Sequence, residues 1–436
     1  MTSMATGLEV VQFISENRGL VNAMVRASPS KLKTTFALLV DDRRCRMHLD
    51  FENKRRHFMN SLQEKHDRSP GLYAEIPVRT RRTHILVDSF NALSGLPASE
   101  MFGPLNIEFD GEDGVDAGGL TRDWFLLLFR QILNPNYGLF EFSADKSTYQ
   151  PAAVSEMDEE GLNLKYFKFA GRIIGKAIFE GQLVDAHFTR SFYKHMLGIP
   201  IQAEDMEAID PQYYKSLRQI LDHSMDDLCL DLTFTTDKLD KLNQKVQSIE
   251  LKKGGENIAV TDENKEEYVR LMALHRMTTG IKRQLEHFLA GLYELVPRSA
   301  LQLFDERELE LLISGLPSID VLDLKWNTEL VGFTKATQTI MWFWSVMCEL
   351  SQEELALFVQ FVTGTSKVPA GGFAALQGTN GPQKFQIHKL ARKGSLPQAH
   401  TCFNQLDLPE YDSEDDLREK LMLAIREGNS SGFTMA

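Results

Sequence analysis

One of the four cysteines in this 436-residue chain sits in surroundings that chemistry could use. The segment Leu396-Pro397-Gln398-Ala399-His400-Thr401-Cys402-Phe403-Asn404-Gln405-Leu406-Asp407-Leu408-Pro409 carries Cys402 on a proline-started loop, just before an apolar run suited to a strand. Cysteine attacks as the thiolate, and a free thiol at neutral pH is mostly protonated, so a reactive one needs help from its neighbours. His400, two residues upstream, stands near enough to give it. Thr401 and Asn404 can hydrogen-bond a developing oxyanion or fix a thioester carbonyl. Spacing alone leaves the alternative open, a lone cysteine buried as a small hydrophobe. Cys45, Cys229 and Cys348 lack such neighbours and read as structural.

The rest of the composition narrows the field. The cysteines lie far apart with no CxxC pair, which argues against a disulfide framework or structural zinc and for a reducing compartment. The expected setting is cytoplasmic, with the nucleus also open. A formal net charge of -13 opposes nucleic-acid binding, which needs a basic face. No apolar run is long enough to cross a bilayer, so no membrane association is expected, and Met1 to Val10 lacks the layout of a secretory signal. Gly171-Arg172-Ile173-Ile174-Gly175-Lys176-Ala177 imitates a phosphate loop. It has one residue too few between its glycines, and Ala177 stands where a hydroxyl is needed. Gly111 to Gly119 lacks GxGxxG spacing, His187 and His195 form no HExxH, and there is no GxSxG elbow. No cofactor and no metal are expected.

The elements that must position Cys402 are partly legible. At this length more than one hydrophobic core is expected. The stretch to about Asn60 reads as helical, broken at Pro29, and docks on the body of the chain beyond it; Arg43, Arg44, Lys54, Arg55 and Arg56 read as a solvated basic face. Leu105 to Phe109 alternates as a strand and runs into the glycine-rich turn, after which Thr121 opens an apolar helix. Tyr166 to Phe179 and Phe188 to Leu197 read as helices, whereas Leu228, Leu230, Leu232 and Phe234 fall at the period of a strand. Asp305 and Glu308 form a capping box for a helix stopped by Gly315. Residues 323–335, poor in periodic apolar positions, read as a linker. Beyond it lie the helix Ile340 to Met347, with Trp342-Phe343-Trp344 as core, and a helix after the Ser351/Glu354 capping box. The strand Phe385 to Leu390, the cysteine segment and a helix from Ser413 to Glu427, stopped by Gly428, complete a small unit.

Several segments, in order, carry a resemblance. They are Gly111-Glu112-Asp113-Gly114-Val115-Asp116-Ala117-Gly118-Gly119-Leu120-Thr121-Arg122, Asn134 to Phe140, Tyr166 to Arg172, Phe304 to Gly315, Phe361 to Pro369, and the cysteine segment with Pro409-Glu410-Tyr411. Together they closely resemble HECT-domain ubiquitin ligases from about Phe58 to Ala436, most of all the giant Mule-type members. Asp123 in place of a common glutamate and Phe142 in place of a common tyrosine are mild departures.

The resemblance implies an α+β, two-lobed fold. A helical extension over 1–57 precedes a mostly helical larger lobe with small sheets over 58–328. Within that lobe, about 200–275 form a small subdomain that binds the ubiquitin-conjugating enzyme. A hinge over 329–335 joins the larger lobe to a smaller α/β lobe over 336–436. The resemblance makes Cys402 the glycyl-thioester nucleophile, with His400 and Thr401 beside it and Asp116 and Glu112 receiving or orienting the acceptor lysine. Arg307 helps hold the lobes for transfer, and Phe433 docks during lysine attack. The groove for the conjugating enzyme is matched by Leu217, Ile220, Leu230, Leu232 and Tyr268, and the surface around Tyr137 to Phe142 by a region that holds a second ubiquitin in some members. Ubiquitin, the conjugating enzyme and protein substrates are the implied partners, and homodimerisation through the N-terminal helices stays open. Two other classes compete: a thiol hydrolase using Cys402 and a histidine, and a non-catalytic scaffold for conjugating enzymes.

Overall fold

Two helices, Leu162–Glu180 and Lys282–Leu295, lie backbone against backbone at the centre of the largest core. Glycine makes the approach possible. A Cβ on Gly171 would run into the carbonyl of Phe288, and one on Gly291 into that of Lys168. The spacing that imitates a phosphate loop is therefore a helix-packing stripe. Its Lys176 is fully buried, pairs with Glu180 at 2.8 Å and donates to the Gly103 carbonyl at 2.6 Å. The computed structural model describes residues 2–27, 33–67, 74–112, 119–144, 146–153, 161–240, 245–316, 318–369, 371–378 and 381–430.

Around that pair the first core gathers residues from Val25 to Ile313, including the helix Gly119–Ile132 and the parallel strands Ile76–Thr80 and Leu105–Phe109. The N-terminal stretch forms helices Thr2–Glu16, Arg18–Ala27, Lys33–Asp41, Arg43–Arg46 and Phe51–Asp67. The last of these packs Phe58 edge-on against Phe304, with ring centroids 5.2 Å apart. Lys54 departs from the expected solvated face: it is buried and paired with Glu308. The charge was read from composition, but its position on the helix turns it inward.

A second core gathers residues from Met206 to Met277. Here the expected strand over Leu228 to Phe234 does not form. Ser224 caps a short helix, Met225–Leu228, Cys229 turns left-handed at φ 50°, and the hairpin strand begins only at Thr235. The serine cap and the turn override a two-residue period that is too short to decide by itself.

The third core runs from Ile319 to Ile425 under a four-stranded sheet. Strand Phe385–Leu390 lies at its centre, parallel to Gln405–Pro409 on one side and to Thr328–Val331 on the other; Gln398–His400 pairs antiparallel at the far edge. Helices Gln338–Glu349, Gln352–Thr363 and Glu414–Ser430 complete this core, with Leu417, Leu421 and Ile425 buried in it. The last helix continues past Gly428. The expected linker over 323–335 is instead largely ordered: Asp320 caps a helix, Val321–Trp326, by accepting from the N–H groups of Leu322 and Asp323, and a strand comes next. Packing changes hands upstream of it, between Ile313 and Ile319. Gly315 marks that change with φ +73° and ψ -160°, a region that essentially only glycine enters, rather than the left-handed helical stop expected. The architecture is α+β, with two lobes. Among the described residues no helix is long and apolar enough to cross a membrane, and no cluster of His, Cys, Asp and Glu is arranged to hold a metal.

Candidate active site

Cys402 sits in a single 3₁₀ turn, Thr401–Phe403, that closes the hairpin between strands Gln398–His400 and Gln405–Pro409. Asn404 makes the turn possible. It adopts φ 50° and ψ 42°, a left-handed conformation that asparagine tolerates better than most residues. It is wholly buried, its Nδ2 donates to the Gln383 carbonyl at 2.9 Å, and its own carbonyl accepts from the Gln386 N–H at 2.9 Å. Leu406 and Leu408 anchor the following strand in the third core. The turn is thus fixed from below, Thr401 is buried, and Phe403 stands half in solvent beside Cys402.

His400 is exposed, and its ring turns along the hairpin to Asp407, with Nε2 3.1 Å from Oδ2; Gln405 Nε2 donates to the other carboxylate oxygen at 2.6 Å. Asp407 and Gln383 escaped the sequence reading because only the closed hairpin and its neighbouring loop bring them to the turn.

The large lobe reaches the same turn. Arg122, on helix Gly119–Ile132, is buried, and its Nη1 donates to the Thr363 carbonyl at 2.9 Å and the Thr401 carbonyl at 3.1 Å, with Asn404 Oδ1 at 3.4 Å. Next to it, Arg82 holds two carboxylates: it pairs with Glu112, donating to its second oxygen at 3.0 Å, and lies 2.5 Å from Asp123. The Arg82 guanidinium also covers the Phe109 ring at 4.1 Å. Burial pushes the Asp123 carboxyl up from its usual range, and the Arg82 charge opposes that shift. Glu112 therefore stands at the root of the glycine-rich turn, already paired. Asp116, Phe433 and the Cys402 side chain lie outside the described residues.

Arg307 is exposed in the first turn of helix Glu306–Ser314, and no ion pair described joins its side chain to the small lobe. The groove candidates divide. Leu217, Ile220 and Tyr268 are buried together in the second core, where Tyr268 packs edge-on to Phe234; Leu232 lies at the margin of that core and Leu230 is 46% exposed. Tyr137 and Phe142 are exposed on the large lobe.

Comparison with known proteins gives a consistent picture. A model of the HECT-domain (ubiquitin-transferase) family matches residues 126–436. The E3 ubiquitin-protein ligase UPL2 of Arabidopsis thaliana is 46% identical over 431 residues, 98% of this chain and 12% of its own length. The mouse (Mus musculus) E3 ubiquitin-protein ligase HUWE1 is 45% identical over 98% of this chain and 10% of its own length. The E3 ubiquitin-protein ligase TOM1 of Saccharomyces cerevisiae is 43% identical over 97% of this chain and 13% of its own length. The chain thus spans about a tenth of the length of these curated relatives.

Proposed function

The chain belongs to the HECT-domain (ubiquitin-transferase) family, and from that premise we propose that it accepts ubiquitin on Cys402 and passes it to a substrate lysine. In the first step the Cys402 thiolate attacks the thioester of a charged conjugating enzyme. A new carbon–sulfur bond forms and the conjugating enzyme leaves as its thiolate. One thioester replaces another, so positioning rather than driving force governs the rate. In the second step a neutral lysine amine attacks the Cys402 thioester. The carbon–nitrogen bond forms, the Cys402 sulfur leaves, and the amine gives up a proton to a base.

The observation that carries this reading is the mounting of Cys402. Its turn is anchored on the small lobe through Asn404 and held from the large lobe by Arg122, which shares its helix with the Asp123 that Arg82 pairs along with Glu112. His400 and Thr401 complete the surroundings of the thioester, and Glu112 and Asp116 orient the lysine. Arg307 steadies the lobes and Phe433 docks at the second step. Swinging of the small lobe carries the sulfur from the conjugating enzyme to the acceptor; the pivot falls between Ile313 and Ile319, where packing changes cores, rather than over the expected 329–335, whose strand belongs to the small-lobe sheet. The second core holds the conjugating enzyme, with Leu230 and Leu232 on its accessible side. Ubiquitin, a conjugating enzyme and protein substrates are the partners of this reading.

The test uses charged conjugating enzyme with and without free lysine. A ligase discharges ubiquitin onto lysine and needs Cys402; a hydrolase releases free ubiquitin over many turnovers without any amine. A scaffold leaves the rate unchanged by Cys402→Ala. Either of the last two outcomes overturns the proposal.

A further inference from the structure

Resting on that reading, we propose that Arg122 is a positioning residue for the lysine-transfer step, latching the Cys402 turn to the acidic end of the large lobe. The contact has three unusual properties. Arg122 is buried, and its Nη1 serves two backbone carbonyls and one side-chain oxygen, all on the small lobe. One of those carbonyls belongs to Thr401, the residue before Cys402. Gly364 turns the chain at φ +77°, a left-handed conformation that favours glycine, and its backbone packs beside Arg122 and Thr401.

Other bonds close the same seam. Lys367 pairs with Asp185 at 2.9 Å and reaches His187 Nε2 at 3.0 Å, and Arg130 lies 3.5 Å from Gln360. Of the described bonds across this seam, only those of Arg122 reach the cysteine turn. None of the described hydrogen bonds or ion pairs joins the small lobe to residues 200–277, where the conjugating enzyme is proposed to bind. On this proposal the latched arrangement serves transfer rather than loading. It ties the turn to the residue next in the chain to Asp123, which Arg82 holds together with Glu112 at the root of the acidic turn toward which the proposal brings the lysine.

Hydrogen bonds from a guanidinium to carbonyl oxygens are charge-assisted and directionally fixed, so they hold a turn more tightly than packing alone. Lysine keeps the charge and the donors, but its shorter stem and rotating ammonium lack the rigid plane of the guanidinium. Loading needs the latch open, and transfer needs it closed.

The experiment measures two single-turnover rates on the full chain: loading from charged conjugating enzyme, and discharge of the Cys402 adduct to free lysine. Arg122→Ala is expected to load within about twofold of wild type and to discharge about tenfold more slowly, a loss of the size that misplacement of a reacting group produces. Arg122→Lys should fall between. Equal slowing of both steps, or no slowing of discharge, overturns the proposal. If Arg122→Ala does not fold, Arg122→Lys decides alone by the same split. Failure of the wild-type chain to load ubiquitin on Cys402 would instead overturn the functional reading on which the latch rests.

Discussion

Lys54 Nζ lies 2.9 Å from both carboxylate oxygens of Glu308, the residue that also closes the capping box at the start of helix Glu306–Ser314. Two residues 254 positions apart thereby tie the N-terminal helices to the large lobe. Removing one member of a buried pair strands the other charge. Lys54→Met should cost about 3–5 kcal/mol, read from denaturant unfolding. Adding Glu308→Leu removes the stranded carboxylate and should recover part of it, the rest being lost with the capping box. Equal stabilities for wild type and Lys54→Met would show that the N-terminal helices are not fastened there.

Gly171→Ala and Gly291→Ala test the central helix pair. Alanine is the better helix former by about 1 kcal/mol, yet here its Cβ meets a backbone carbonyl of the facing helix. Overpacking of this kind costs about 1–3 kcal/mol, so both variants should melt lower than wild type. Gly19→Ala, in a helix where a Cβ meets nothing within 4 Å, should be neutral or stabilising. A rise in melting temperature for Gly171→Ala would contradict the close packing.

The second core separates docking from folding. Tyr268 is buried, and Tyr268→Asp should unfold the subdomain, so loss of loading in that variant says nothing about a groove. Leu230 is exposed. Leu230→Asp should leave the melting curve in place and weaken loading by the conjugating enzyme about tenfold, the scale of a lost apolar contact in an interface. Unchanged loading kinetics would move the groove away from Leu230.

Acid should loosen the join between that subdomain and the large lobe. His195 is held below the ordinary histidine range, first by burial, while its Nε2 donates to the Met277 carbonyl at 3.0 Å and the nearby Asp205 charge pulls the other way. The folded state thus takes its proton later than the unfolded chain does. Stability is full above the unfolded value of about 6.5 and is lost as pH falls through it toward the lower folded value. Melting temperature should drop as pH falls below about 6.5, and His195→Gln, which keeps a donor, should flatten that slope. An unchanged slope would assign the acid sensitivity elsewhere.

Much of the fold was legible in local signals. The capping boxes at Asp305/Glu308 and Ser351/Glu354 and the strand Phe385–Leu390 stand where the residues place them, because caps and alternation act within a few residues. The aromatic stretch is core, with Phe343 and Trp344 buried. Cys402 was singled out by its neighbours. What local reading misjudged is instructive: Lys54 was read from charge, Leu228 to Phe234 from period, and residues 323–335 from poor periodicity despite the Asp320 cap just upstream. Arg122 appears in a recognised segment, but nothing within that segment points to Thr401, 279 residues away. Such a contact exists only after two lobes meet.

The whole transfer turns on one sulfur. Incubation of the chain with charged conjugating enzyme, then peptide mapping of the product without reductant, addresses it most directly. A single ubiquitin adduct is expected on the Cys402 peptide, released by thiols, absent in Cys402→Ala and thiol-resistant in Cys402→Ser. An adduct carried by Cys229 or Cys348, or ligation that proceeds unimpaired in Cys402→Ala, would contradict it.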